Sequence, residues 1–383
     1  MQTSNIASAL IVSISLFADQ CAHGELPASF VVFPTPVGAT QTFAAAISGD
    51  GSVVVGWTSD SNSNDKGYRW TPAAGANAIQ YLASPQLASQ ASDVSFDGSI
   101  VVGTSRPSVG HDVPAIWTAP NSVQLLPDPY PGRFAMSPKV SADGSFFAVW
   151  ANTYVNDSNL YSFAWSQAQG FTGIASPYPS VTSEAVSSIG NVVVGETGYS
   201  FGISDAFRWT PAGGLKLLST STDEFRSSEA TATNADGSLI VGKYSITGGG
   251  AAFRWTQATG MVPFDDLSGT GIMTSPTAMS ADGSVIVGRG KFGSQFAVMI
   301  WDSNHGTRRL SDVLASRDVD IGSFNLFQPV DISADGTKIV GVGSGPTGGQ
   351  RAWYVDLAVP EPSTAVLAIG GLLIFAHYCR VRH

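Results

Sequence analysis

Ser280-Ala281-Asp282-Gly283-Ser284-Val285-Ile286-Val287-Gly288 is the stretch that decides the fold. Asp-Gly accepts the positive φ angles of a tight hairpin, and a serine just before it can cap the turn through its hydroxyl. The Val-Ile-Val run is β-branched and continuously apolar, as a strand covered on both faces should be. A single hairpin of this kind would settle little, but this one recurs. Asp-Gly stands at Asp50, Asp97, Asp143, Asp236, Asp282 and Asp335, with spacings of 47, 46, 93, 46 and 53 residues. The 93 is two periods, and Ile189-Gly190 at its midpoint is a degenerate copy, which makes seven.

Each copy brings the same companions. Two positions before the Asp stands Ser48, Ser95, Ser141, Ser187, Asn234, Ser280 or Ser333. A tryptophan follows 18 to 22 residues after the Asp position: Trp70, Trp117, Trp165, Trp209, Trp255, Trp301 and Trp353. Small-residue segments such as residues 44–48 lead into the turn, and the valine run leaves it. Segments such as Ala206-Phe207-Arg208-Trp209 give a third strand, and residues 78–82 or 215–218 a fourth. No long stretch shows an apolar period of about 3.6 residues. Four short strands in a repeat of about 46 residues predict a β-propeller blade. Seven copies, from near Phe30 to near Asp356, predict an all-β, seven-bladed β-propeller in one domain, residues 25–357.

The repeat resembles the HAF-type extracellular repeat of bacterial surface proteins, though Arg208 and Arg254 stand where that family has its histidine. The resemblance implies architecture and an extracellular place, without an activity.

Both ends of the chain read as topogenic. Ile6 to Phe17 is a 12-residue apolar run, and Ala22 and Gly24 are small residues suited to signal-peptidase cleavage after Gly24. Residues 1–24 are therefore expected to be a signal peptide. At the other end, Val359-Pro360-Glu361-Pro362-Ser363-Thr364 precedes a 14-residue apolar run, Ala365 to Tyr378, and a basic end with Arg380 and Arg382. A helix of that length reaches ~21 Å, short of a hydrocarbon core of about 30 Å, and snorkelling arginines can extend it. The ordered series of motif, transmembrane helix and basic end over residues 358–383 resembles the PEP-CTERM sorting signal of Gram-negative bacteria. That resemblance implies recognition of Pro360, Glu361 and Pro362 by an exosortase-type enzyme. It also implies a transient stay in the inner membrane, and delivery to the cell surface, envelope or exopolysaccharide matrix.

Composition removes several function classes. The chain has 383 residues, a formal net charge of −10 and six lysines, the opposite of a phosphate-reading surface, so no nucleic-acid partner is expected. The two cysteines, Cys21 and Cys379, fall in the terminal segments, which leaves the body without a thiol for disulfides or zinc. No cofactor or metal is expected, and no catalytic residue is assigned. Gly198-Tyr199-Ser200-Phe201-Gly202 matches Gly-x-Ser-x-Gly, but a nucleophile elbow needs a following helix and a histidine base, and neither is evident. The oxygen-rich loop Asp60–Asp65 lacks the closing glutamate of a calcium loop.

The informative positions are those at which the copies differ. Seven residues after the Asp position they carry Trp57, Thr104, Trp150, Glu196, Lys243, Arg289 and Val342, which a ring places on one face. Trp57 and Trp150 could stack on sugars, and Glu196, Lys243 and Arg289 could hold polar groups of the same ligand. Four residues before the Asp, Asp93, Lys139 and Asp331 are expected to line the channel. The expectation is a secreted or surface-sorted, non-enzymatic propeller that serves as a structural or binding component of the envelope or matrix. The alternative is a polysaccharide-cleaving hydrolase or lyase, which would need acidic residues clustered in one mouth. Their spacing in the sequence shows no such pair.

Overall fold

The computed structural model describes residues 28–357, except 73–78, 84–87, 107–110, 129–133, 153–158, 190, 200–202, 220–226, 247–248, 265–271, 293–294 and 347. The signal peptide, the sorting tail and Ser200 lie outside the described residues. Phe30–Asp356 forms one compact unit. It holds seven four-stranded sheets, the blades of a propeller. Their inner strands are Gln41–Ile47, Ala88–Val94, Phe134–Val140, Ser180–Val186, Ser227–Thr233, Ile272–Met279 and Asn325–Ile332, for blades 1 to 7. One short α-helix, Leu310–Ala315, joins blade 6 to blade 7.

The first blade shows the pattern of all. Its inner strand is followed by the Asp50-Gly51 turn, then by Val54–Ser59, Asp65–Trp70 and Gln80–Tyr81, each antiparallel to the one before. The seventh copy stops after its third strand, Gln350–Asp356, and Ser29–Val32 from the start of the chain supplies the fourth. The ring is thus closed by its two ends, which the periodicity of the copies did not reveal.

The Asp-Gly turn is held by its own side chains. The Ser48 hydroxyl donates to the Asp50 carboxylate at 2.6 Å and accepts the Val53 N–H at 2.9 Å, while Asp50 accepts the Ser52 N–H at 2.8 Å. Blade 5 has Asn234 in the serine's place, and its Oδ1 takes the Leu239 N–H at 2.9 Å. Gly51 sits at φ +72°, where a side chain would be strained.

Blades pack as wedges that widen outward. Near the axis the clusters use Ala44, Ala91, Ala148 and Val193, and further out the phased tryptophans fill the widening gap. Trp70, for example, packs between Phe33 (4.5 Å between centroids) and Tyr354 (5.3 Å). Arg208, in the same phase, donates from Nε to the Gly237 carbonyl in the turn of the next blade at 3.1 Å. That is a strand-end contact, as expected of a residue that recurs with the repeat.

At the Asp-Gly end the backbone closes a hydrogen-bonded circle. Asp50 N–H donates to Phe96 O, Phe96 to Ala142 O, Ala142 to Ser188 O, Ile189 to Ala235 O, Ala235 to Ala281 O, Ala281 to Ala334 O, and Ala334 to Gly49 O, at 2.8 to 3.1 Å. Every blade is tied to the next by a main-chain bond, so this end tolerates little local variation.

Each inner strand also carries a register irregularity centred about five residues before the Asp position. The bulge presses a carbonyl onto the second strand. A Cβ on Gly56, Gly103, Gly195 or Gly242 would lie within 2.0 Å of the carbonyl oxygen of Phe43, Gln90, Thr182 or Glu229. Blade 3 has Val149 at this position, and there the shift spans Met136 to Lys139, with Ser137 at φ 42°. That wider bulge accompanies the one copy without the glycine.

Candidate functional site

The variable position seven after the Asp lies on the second strand, towards the end opposite the turns. It always pairs with the same place on the inner strand. The pairs are Phe43/Trp57, Gln90/Thr104, Met136/Trp150, Thr182/Glu196, Glu229/Lys243, Ser275/Arg289 and Gln328/Val342. They form the rim of one mouth of the channel. The rim is aromatic on blades 1 and 3 and charged on blades 4 to 6.

Trp57 lies flat on Phe43, with centroids 5.1 Å apart and 17° between the rings, so one face of the indole is already covered within its own blade. Trp150 is half-buried beside the exposed Met136. The structure therefore places both tryptophans on the rim, Trp57 with one face already covered and Trp150 on the blade next to the charged segment.

Glu196, Lys243 and Arg289 come together with Lys139, expected in the channel, and with Glu184, Glu229 and Phe296, which the sequence did not single out. Lys139, Glu184, Glu229, Lys243, Arg289, Thr274 and Phe296 line a cavity of about 430 Å³ over blades 3 to 6, with Gln328 and Val330 of blade 7 at its far side. An adjoining groove of about 260 Å³ shares Glu229, Lys243 and Phe296 and adds Lys291 and Tyr244. Lys243 Nζ is 2.8 Å from Glu229 Oε2. Burial works to lower the Lys243 pKa, but Glu229, Glu196 and Glu184 outweigh it and hold the ammonium above its ordinary value. Burial and the charges of Glu229 and Glu196, against Lys139 and Lys243, push Glu184 up to about 7. Burial likewise raises Glu196, opposed by the Ser204 hydroxyl and Lys243 and aided by Glu229. At neutral pH Glu184 is thus about half protonated, able to donate or to accept.

The chain has six lysines and six glutamates, and three of each, Lys139, Lys243, Lys291, Glu184, Glu196 and Glu229, belong to this mouth. Phe296 is 61% exposed at its edge, with the Arg289 guanidinium 5.5 Å and the Lys291 ammonium 5.8 Å from the ring centroid. Phe296 is placed there by the hairpin of Val285–Phe292 and Gln295–Asp302, in which Lys291 pairs with Phe296.

Deeper in the channel stand the residues expected there, Asp93, Lys139 and Asp331. The two aspartates are inter-blade clasps. Asp93 Oδ2 accepts the Val140 N–H of the next blade at 2.9 Å, and Asp331 Oδ2 accepts the Ile47 N–H across the ring closure at 2.9 Å. Burial raises Asp93, and burial together with the charge of Asp93 raises Asp331 to about 7.

Other candidates are occupied structurally. Asp60 accepts the N–H groups of Asn62 and Asn64 at 2.7 and 3.0 Å, which closes its own loop. Among the described residues no group of three or more His, Cys, Asp or Glu side chains could hold a metal ion, and no helix is long and apolar enough to cross a membrane.

No protein-family model matches the chain, and no curated protein is similar to it in sequence. Solved structures do share its fold. An oligogalacturonate lyase in complex with manganese is similar with a TM-score of 0.60 and 11% identity, over 88% of this chain and 98% of that one. The β-propeller domain of the Trilobed protease from Pyrococcus furiosus, which has an open velcro topology, gives 0.54 and 11% over 84% and 100%. An acylaminoacyl peptidase gives 0.56 and 10%, over 86% of this chain and 54% of that one. At such identities the likeness shows the propeller fold alone.

Proposed function

We propose that this protein is an exported, non-enzymatic propeller that binds a polar polymer in the mouth over blades 3 to 6. It is a structural or binding component of the envelope or exopolysaccharide matrix. Residues 1–24 would direct export, and Pro360, Glu361 and Pro362 would present the tail to an exosortase-type enzyme. The observation that carries the binding reading is the convergence of Lys139, Glu184, Glu229, Lys243, Arg289 and Phe296 on one mouth of an otherwise repetitive ring. Side chains that serve the fold recur with the repeat, whereas these differ from blade to blade. Convergent polar groups around an aromatic surface are the usual make-up of a ligand site.

The test is titration of the full chain with the producing organism's exopolysaccharide, followed by tryptophan fluorescence. Saturable binding that Glu229→Ala/Lys243→Ala removes, with the fold intact, supports the reading. Binding unaffected by that pair but lost in Trp57→Ala or Trp150→Ala would move the site to blades 1 and 3. A second reading, cleavage of the polymer, is favoured by one observation: Glu184 sits near neutrality beside Glu196 and Glu229, so the mouth offers both a carboxylic acid and carboxylates. Release of new reducing or unsaturated ends, abolished in Glu184→Gln, would establish it.

A further inference from the structure

The mouth is not balanced in charge. Lys139, Lys243, Arg289 and Lys291 face Glu184, Glu196 and Glu229, in a chain whose formal net charge is −10. Lys243 is matched by Glu229 at 2.8 Å. Among the described residues Arg289 and Lys291 have no carboxylate partner, and both are held instead against the ring of Phe296. A cation kept over an aromatic ring at the edge of a groove is pre-positioned, so little ordering entropy is lost when it takes an anion. Phe296 itself remains 61% exposed, and Ile272, which shares Lys291 as a cross-strand neighbour, is 64% exposed.

This juxtaposition selects a ligand with an apolar ring face and a single carboxylate next to it. A sugar's C–H face packs on an aromatic ring, and a guanidinium pairs with a carboxylate in two parallel hydrogen bonds. Nucleic acid carries a far denser run of charge than two unpaired cations can match. A neutral glycan would leave both cations without an anion. Resting on the mouth as the binding site, we infer that its ligand is an acidic saccharide. One uronate ring would lie against Phe296, with its carboxylate taken by Arg289 and Lys291.

The experiment is calorimetric titration of the full chain with mannuronate, galacturonate and hyaluronan hexasaccharides, and with mannohexaose as the uncharged reference. At least one acidic hexasaccharide is expected to bind about tenfold or more tightly than mannohexaose, the gain of one charge-assisted bidentate contact. Arg289→Ala/Lys291→Ala should abolish that preference, and added salt should weaken the acidic ligand alone. Phe296→Ala should weaken every ligand that binds. Because all three side chains are exposed at the groove's edge, an unchanged thermal midpoint should confirm that the variants fold. Equal binding of acidic and neutral hexasaccharides, with sensitivity to Glu229→Ala/Lys243→Ala, would overturn the acidic preference and leave the mouth as the site. A charge preference that survives Arg289→Ala/Lys291→Ala would overturn the assignment to blade 6. Absence of binding by all four would overturn both.

Discussion

Asp331 offers a test of how the ring is held closed. Its carboxylate is buried in the channel, clasps the Ile47 N–H at 2.9 Å across the junction of blades 7 and 1, and also takes the Ile332 N–H at 2.8 Å. Burial, with Asp93 adding to it, moves its pKa from 3.8 to about 7. An acid whose pKa is raised on folding keeps its proton to higher pH in the folded state than in the unfolded one. Its contribution is therefore favourable at low pH and is lost as pH rises from the unfolded value through about 7. The full gap corresponds to about 4 kcal/mol. Between about pH 5.5 and about pH 8 the protein should lose about 2 kcal/mol from this group alone. Asp331→Asn removes the charge while its Oδ1 can still accept the Ile47 N–H. Urea unfolding should show the wild type weaker at about pH 8 than at about pH 5.5, and the variant with that difference reduced by about 2 kcal/mol. Asp93 and Glu184, also raised, would supply the remaining slope. A variant that loses the same stability at both pH values, with the wild-type slope intact, would refute the reasoning, because the carboxylate would then be a net gain as a hydrogen-bonded ion.

Gly195→Ala should destabilise by about 3 kcal/mol or more, since its Cβ would meet the Thr182 carbonyl oxygen at 1.9 Å, whereas Gly173→Ala, with nothing within 4 Å, should change stability by less than about 1 kcal/mol in the same unfolding assay. Ser280→Ala should cost about 1–2 kcal/mol, because both the 2.7 Å bond to Asp282 and the acceptor for the Val285 N–H at 3.0 Å are lost. The Asp97 carboxylate is held down at about 2, chiefly by the Ser99 hydroxyl and N–H and the Ser95 hydroxyl. Its stabilisation, present above its unfolded value, should disappear only as pH falls towards about 2, which NMR titration of the Asp97 carboxyl would show. Deleting residues 28–33 removes the fourth strand of blade 7 and exposes Gln350–Asp356 as an open edge, so the truncated chain should unfold earlier and aggregate, read by light scattering.

The blades could be read from the sequence because their determinants are local: a turn closed within six residues, a valine run, and a tryptophan in fixed phase. The channel position four before the Asp was legible for the same reason, as Asp93, Lys139 and Asp331 show. Two things were hidden. Ring closure joins Ser29–Val32 to a sheet more than 290 residues away, and no periodic signal marks a strand that substitutes for a missing one. The acid cluster was hidden because Glu184 and Glu229 do not occupy equivalent places. Glu184 falls at the bulge of its strand, between Ser183 and Ala185, whereas Glu229 stands ahead of the bulge, opposite Lys243. A bulge reverses the alternation of side chains along a strand, so counting by twos or by repeats misses the convergence.

The two ends of the ring divide the work, and that division explains where a ligand site could arise. At the Asp-Gly end each residue of the circle from Gly49 to Ala334 sits within a turn and bonds a neighbouring blade, so change in one copy disturbs the next. At the opposite end the rim pairs touch mainly across one sheet, as Phe43 with Trp57 or Glu229 with Lys243, and each copy can vary without consequence for the circle. Unequal and facing a common opening, these pairs can change their chemistry at little cost to the fold. A repetitive propeller therefore builds function from the departures from its repeat, and in this chain the departures gather on blades 3 to 6.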